Sequence, residues 1–279
     1  MNLASLRAKV RNLESIAASR KPIVVGDAPD VVAWAEAAAG IQLDAWQRDI
    51  IADSHKRKLL LCSRQTGKSE IAALAGAYKA LFSAHASVAV ISPTLRQSRN
   101  LFERIESAIL NTDPCPRIIR HTSTMIRLAH GGTVRALPGD APDKVRGLTA
   151  TDVIVDEAAF VREAVLMVVL PMLATTDGAM TMLSTPSGPQ GPFYDAWHTS
   201  EGWLKTKVLA TNCPRISAEF LADARRKLGE MAYRQEYNCE FIQASSTFFS
   251  AELIRQAFDQ TTGKPGYLDG KRSPSYFNE

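Results

Sequence analysis

Apolar and polar positions alternate along the chain in two different rhythms. Leu3 to Ala18 carries apolar residues at helical spacing among arginines and lysines, and a second helical stretch covers Asp30 to Ala39. From Lys58 onward, short apolar runs alternate with helical stretches: Lys58 to Cys62 reads as a strand, followed by a helix from about Lys68 to Ser83. Ser87 to Ser92 is a second strand, and Thr94 to Leu110 places Leu95, Leu101, Ile105, Ala108 and Ile109 mostly on one helical face. A hairpin follows, Met125 to Leu128 and Thr133 to Ala136, turning around Gly131-Gly132. Thr151 to Val155 and Ala179 to Ser184 supply two more apolar strands, separated by a helix from about Arg162 to Ala174 that Pro171 should kink or end. Strand and helix in strict succession predict an α/β fold with a mainly parallel sheet flanked by helices.

After Pro186 the texture changes. Gly188, Pro189, Gly191 and Pro192 make a loop, Trp203 to Ala210 reads as a further strand, and Ser217 to Phe241 is mainly helical despite Gly229. The organisation expected is a helical preface over 1–42, a core over 43–200, a small lid or linker subdomain over 201–260 and a flexible tail over 261–279, with no internal repeats.

Composition narrows the picture only modestly. The 279 residues can bury a substantial core. Lys plus Arg number 33 against 29 Asp plus Glu, a mild basic excess that permits contact with nucleic acid without demanding it. The four cysteines, Cys62, Cys115, Cys213 and Cys239, form no CxxC pair, which suggests neither a zinc site nor a disulfide framework. No apolar run approaches the roughly 18 to 20 residues that span a bilayer, so the expectation is a soluble intracellular protein.

The chemistry begins at Cys62-Ser63-Arg64-Gln65-Thr66-Gly67-Lys68-Ser69, an apolar strand running into Gly-Lys-Ser at the head of a helix. This is a P-loop in its expected context, although Cys62 occupies the first glycine position of the usual pattern. Such a loop works because the backbone N–H groups of Ser63, Arg64, Gln65, Thr66 and Gly67, with the positive end of the helix dipole, converge on nucleotide phosphates. Lys68 would neutralise the β and γ phosphates and the Ser69 hydroxyl would ligate Mg2+. Val153-Ile154-Val155-Asp156-Glu157 then delivers two carboxylates at the C-terminal end of a strand, where parallel sheets bind ligands. Asp156 would hold the Mg2+ shell and Glu157 would orient or deprotonate the attacking water. In Leu183-Ser184-Thr185-Pro186 the hydroxyls of Ser184 and Thr185 could sense the γ-phosphate. Upstream, Gln47 could pair with an adenine edge while Trp46 covers the base. The clusters Lys56-Arg57-Lys58 and Arg225-Arg226-Lys227 could track DNA phosphates, or simply be solvated faces.

Arg64-Gln65 within Ser-Arg-Gln-Thr-Gly-Lys-Ser, the Asp-Glu strand, the Ser-Thr-Pro turn and Ile91-Ser92-Pro93-Thr94 together resemble the ATPase domain of large terminase subunits of tailed bacteriophages, over roughly Leu43 to Phe241. The resemblance implies an ASCE-type P-loop NTPase whose Walker A loop commonly reads Ser-Arg-Gln before Gly-Lys, so that the missing first glycine is expected. It implies a Walker B strand ending at Asp156, a catalytic Glu157 and a coupling motif at Ser184-Thr185-Pro186. ATP and Mg2+ would be the cofactors. The partners implied are double-stranded DNA, a homo-oligomeric ring (a pentamer) on the portal protein, and the small terminase subunit, in the host cytoplasm and outside the mature virion. Phosphoryl transfer in such rings calls for a positive charge at the γ-phosphate. Arg64 could supply it in cis; Arg146, in Val145-Arg146-Gly147-Leu148, matches the position of a trans-acting finger in the family and is the preferred choice. After Phe241 no strand carries a carboxylate cluster, so no nuclease domain and no cleavage activity are expected, leaving an isolated ATPase domain or a naturally split motor subunit. The alternatives are another P-loop nucleic-acid translocase of helicase type, or a non-catalytic ATP-binding assembly module.

Overall fold

The computed structural model describes residues 28–199 and 201–243. The helical stretch expected at Leu3 to Ala18 and the tail over 261–279 lie outside these residues. Helix α1 (Val31–Ala39) is capped by the Asp30 carboxylate, which accepts from the Ala33 N–H, and ends at Gly40 in the left-handed conformation. Helix α2 (Ala45–Ala52) opens on a capping box in which Asp44 and Gln47 satisfy each other's backbone donors. Then follow β1 (Arg57–Cys62), α3 (Lys68–Phe82), β2 (Ser87–Ser92), α4 (Leu95–Leu110), β3 (Ile118–Thr122), β4 (Met125–Leu128), β5 (Thr133–Pro138), the short α5 (Pro142–Val145), β6 (Asp152–Asp156), α6 (Glu163–Leu173), β7 (Ala179–Ser184), α7 (Pro192–Thr199), β8 (Leu204–Val208), α8 (Ala218–Leu228) and α9 (Glu230–Asn238).

The eight strands form one sheet in the order β3-β4-β5-β2-β6-β7-β1-β8. The six from β5 to β8 are mutually parallel, while β3 and β4 are added antiparallel at one edge. Central strands of a parallel sheet are covered on both faces and so read as continuous apolar runs; Leu59, Leu60, Leu61 and Cys62 of β1 are all at most 1% exposed. One face packs under α1, α3 and α4 through Trp34, Leu74, Phe102 and Ile105. The other packs under α6 and α7 through Val165, Val169 and Phe193.

Several expectations shift. On α4, Leu101, Ile105, Ala108 and Ile109 are buried as the periodicity predicts and Phe102 and Ser98 join them, but Leu95, at the first turn, stays exposed. Pro171 stands in the last turn of α6, which ends two residues later at Leu173. The strand at Leu204–Val208, expected in the second subdomain, pairs in parallel with β1 and is an edge strand of the main sheet. The segment after it folds back as the α8–α9 hairpin, broken at Gly229 by its positive φ of 77°, around a small apolar cluster of Ala210, Leu221, Ala224 and Tyr233.

Candidate nucleotide site

Register brings the site together. Leu61 of β1 lies opposite Ser184 of β7, and Leu183 lies opposite Asp156 of β6, so three strands end level at the carboxyl edge of the sheet. The chain leaving β1 turns through Gln65 (φ 63°) and Gly67 (φ 91°) into α3. These, rather than Cys62, are the positions of the loop with left-handed backbone. Cys62 is an extended, fully buried strand residue, so the first glycine of the usual motif has no conformational task here. Gly67 does: a Cβ there would stand 2.6 Å from the Gln47 amide nitrogen. The Thr66 hydroxyl donates to the Ser63 carbonyl at 3.0 Å, and both residues are fully buried, which rigidifies the turn.

Four side chains from two distant segments meet at this edge. The Lys68 ammonium lies 2.9 Å from Glu157 Oε1, with 11% and 27% of the two side chains exposed. The Ser69 hydroxyl donates to Asp156 Oδ2 at 3.1 Å, and the Glu157 N–H donates to Asp156 Oδ1 at 3.0 Å. Burial pushes the Asp156 carboxyl above the usual carboxylate range, against the pull of Lys68. Glu157 sits in the left-handed region, φ 51°, which turns its side chain back toward Lys68 and Ser184. The Ser184 hydroxyl donates to Glu157 Oε2 at 3.4 Å and accepts from the Ala159 N–H at 3.3 Å. Thr185 is buried beside it.

The remaining predicted residues are placed differently. Gln47 reaches the P-loop, where its amide is held within the chain: Oε1 accepts from the Asp44 N–H at 2.9 Å and Nε2 lies 3.5 Å from the Gly67 carbonyl. Trp46 is half-buried against the α1 side of the core, its indole N–H buried without an acceptor. The Arg64 guanidinium is ion-paired with Glu236 of α9, which raises its pKa, and the Arg64 backbone N–H donates to the Glu236 carbonyl at 3.2 Å. Arg146 caps α5 with an exposed side chain that makes no ion pair or hydrogen bond among the described residues. Both basic clusters are engaged within the chain: Lys56 with Asp177, Arg57 with the Gly178 carbonyl, Lys58 with Asp53, Arg225 with Glu230, and Arg226 and Lys227 with Asp223.

One participant carries no motif. Arg215, in the loop before α8, donates to the Thr66 carbonyl at 3.0 Å and to Asp44 Oδ1 at 2.9 Å. It ties the P-loop to the capping box of α2, and its hydrogen bond to Asp44 raises its pKa. With Val208 accepting from the Ser63 N–H at 2.9 Å, the segment after β7 holds the P-loop at three points.

The chain is similar to several known proteins. The chain is 25% identical over 233 residues to the large terminase subunit of Thermus virus P23-45, and 24% identical over 232 residues to that of Thermus phage G20c. In each comparison 70% of this chain is covered and 48% of the relative, so the chain spans about half the length of these relatives. Among solved structures, the Thermus phage P74-26 large terminase ATPase domain superposes with a TM-score of 0.67 at 22% identity, covering 74% of this chain and 97% of that one. The large terminase of a thermophilic bacteriophage in complex with ADP superposes with a TM-score of 0.59 at 13% identity, covering 72% and 54%; at such identities the likeness speaks to the fold. The model of the family described as terminase large subunit, T4likevirus-type, N-terminal, matches residues 59–256, and the chain belongs to that family.

Proposed function

We propose that the chain binds ATP with Mg2+ at the P-loop and hydrolyses it, as the ATP-consuming part of a motor that drives double-stranded viral DNA into a procapsid. The observation that carries this reading is the meeting of Lys68 and Ser69 with Asp156 and Glu157, residues far apart in sequence and within hydrogen-bonding reach in space. A scaffold that merely bound nucleotide would need the first pair and not Glu157.

Lys68 exchanges its contact with Glu157 for the β and γ phosphates, whose charge it matches as a point cation. That exchange frees Glu157 to accept a proton from, or orient, the attacking water, with the Ser184 hydroxyl fixing its second oxygen. The donor set suits a small hard cation: a hydroxyl and a buried carboxylate, Ser69 and Asp156, both offering oxygen. Such a cation is held by one or two protein oxygens plus substrate phosphates, in keeping with the absence among the described residues of any cluster of three metal-ligating side chains. Bound there, it would offset phosphate charge.

Arg64, held by Glu236, is a structural tie between P-loop and α9, whereas Arg146 is free to enter a neighbouring subunit's site, within a ring of five on the portal protein. Host cytoplasm and contact with the small subunit belong to the same reading. The test is ATP turnover by the purified chain across protein concentrations, with Arg146→Ala and Lys68→Ala chains mixed in varying ratio. Turnover per subunit that rises with concentration, and partial recovery in the mixtures, are expected. Turnover without recovery at any ratio would remove Arg146 from the site, and no turnover in any assembly state would leave only the nucleotide-binding module.

A further inference from the structure

The basic side chains of the P-loop cluster and of the two basic runs are all partnered within the chain. A different set of arginines is not. Between Asp113 and Asp140 lie Arg117, Arg120, Arg127 and Arg135 and no aspartate or glutamate. This stretch folds into β3, β4 and β5. Ile126, Leu128, Val134 and Ala136 point inward, each at most 5% exposed, against the α4 side of the core. Side chains alternate across a strand, so the intervening positions share the opposite face. Register then sets Arg120 directly across from Arg127, and Arg135 across from Met125. Like charges placed directly opposite one another destabilise a sheet.

None of these four arginines makes an ion pair among the described residues, whereas His121, on the inward side of β3, pairs with Glu106. Arg117, Arg120 and Arg127 are exposed. Arg135 is half-buried and its Nε is buried with no acceptor. Two arginines facing each other are a costly arrangement at rest, and an anionic ligand shared between their exposed guanidinium groups relieves it.

We propose that the outward face of β3, β4 and β5 is the surface through which the chain grips the phosphate backbone of duplex DNA. The inference rests on the proposed function only for the identity of the polyanion. Guanidinium forks bind phosphate oxygens bidentately. The outward positions beside them are Thr122, Met125 and Thr133, and contacts made to phosphate oxygens position a duplex without reading its sequence. No Phe, Trp or Tyr occurs between Asp113 and Asp140. The face therefore lacks the aromatic platform on which single strands stack, which favours the duplex.

The experiment measures binding of the full chain to a labelled random-sequence duplex by anisotropy in rising salt. The Arg120→Thr/Arg127→Thr/Arg135→Thr variant keeps β-forming side chains and touches no part of the P-loop. Its affinity should fall by tenfold or more, and its slope of log K against log salt should flatten by about 0.9 for each phosphate it no longer neutralises. Its ATP turnover without DNA should be unchanged, and its unfolding temperature should equal or exceed that of the parent, because a repelling pair is gone. A variant with Arg225, Arg226 and Lys227 all changed to Thr should bind like the parent. Unchanged affinity and slope in the first variant, equal loss in the second, tighter binding to the single strand than to the duplex, or no duplex binding by the parent would each overturn the proposal. So would loss of self-association with DNA binding intact, which would make the face a protein contact. Failure of ATP hydrolysis alone would refute the proposed function and leave this result standing.

Discussion

Two groups of basic side chains in the molecule are built in opposite ways. At the carboxyl edge of the sheet, each basic side chain of the P-loop cluster meets an opposite charge within the chain: Lys68 meets Glu157, Arg64 meets Glu236, and Arg215 meets Asp44. On the outward face of the β3–β5 extension, Arg120 and Arg127 face each other and no carboxylate answers them among the described residues. The difference separates two ways of being ready for an anion. A paired cluster holds its geometry in advance and accepts a ligand by exchanging partners, which favours a small ligand of fixed shape and supports directed chemistry. An unpaired face tolerates repulsion at rest and gains from any array of phosphates, which suits a long polyanion without regard to its sequence.

The largest effect should come from breaking the paired cluster at its most buried carboxylate. Asp156→Asn should reduce Mg2+-dependent turnover by about a hundredfold or more. Its stability should move the other way. Burial raises the Asp156 pKa, so the folded chain holds that proton more tightly than the unfolded one. The group favours the fold below the ordinary carboxylate range and ceases to do so as pH rises through its folded value. The variant should therefore unfold at the same or a higher temperature than the parent at neutral pH, with the gap closing in acid, as a thermal melt series would record.

A smaller effect is expected at the turn that shapes the cluster. Gly67→Ala forces a Cβ into left-handed backbone and against Gln47, which should cost about 1 to 3 kcal/mol in denaturant unfolding and weaken ATP binding together. Smaller again is Arg215→Ala. It removes one hydrogen bond from the Thr66 carbonyl by a half-exposed guanidinium, and should raise KM for ATP by roughly three- to tenfold with kcat nearly unchanged. A change in kcat alone would assign Arg215 to the chemistry instead. The smallest effect belongs to the internally paired basic run. Arg226→Ala should alter stability by no more than about 0.5 kcal/mol and leave duplex binding intact.

What can be read from the sequence follows the range of the physics involved. Strands Ser87–Ser92 and Ala179–Ser184 and helix α3 are legible because periodicity and flanking breakers are local. The P-loop and Asp156-Glu157 are legible because backbone turn and strand end must lie next to the residues they present. Strand β3 is not: four of its five residues are exposed and its pairing is interrupted between Ile118 and Arg120, so no apolar alternation marks it. Strand β8 is legible as a strand but not as part of the main sheet, because its parallel pairing with β1 joins residues nearly 150 positions apart. Arg215 and Glu236 reach the P-loop across similar separations, and no local pattern announces such contacts. Gln47 reads as a base reader, and Asp44 three residues upstream is the visible signal that it also closes the capping box of α2. The arginine face needs register between three strands before its side chains can be assigned to one surface.

The central claim, that the paired cluster is an exchangeable catalytic set, is tested most directly by comparing Glu157→Gln with Lys68→Ala for equilibrium ATP binding in Mg2+ and for single-turnover hydrolysis. Glu157→Gln releases Lys68 from its resting partner, so it should bind ATP as tightly as the parent or more tightly while losing about a hundredfold or more in rate; Lys68→Ala should lose binding itself. Parent-like hydrolysis by Glu157→Gln, or weaker binding in that variant than in the parent, would contradict the account.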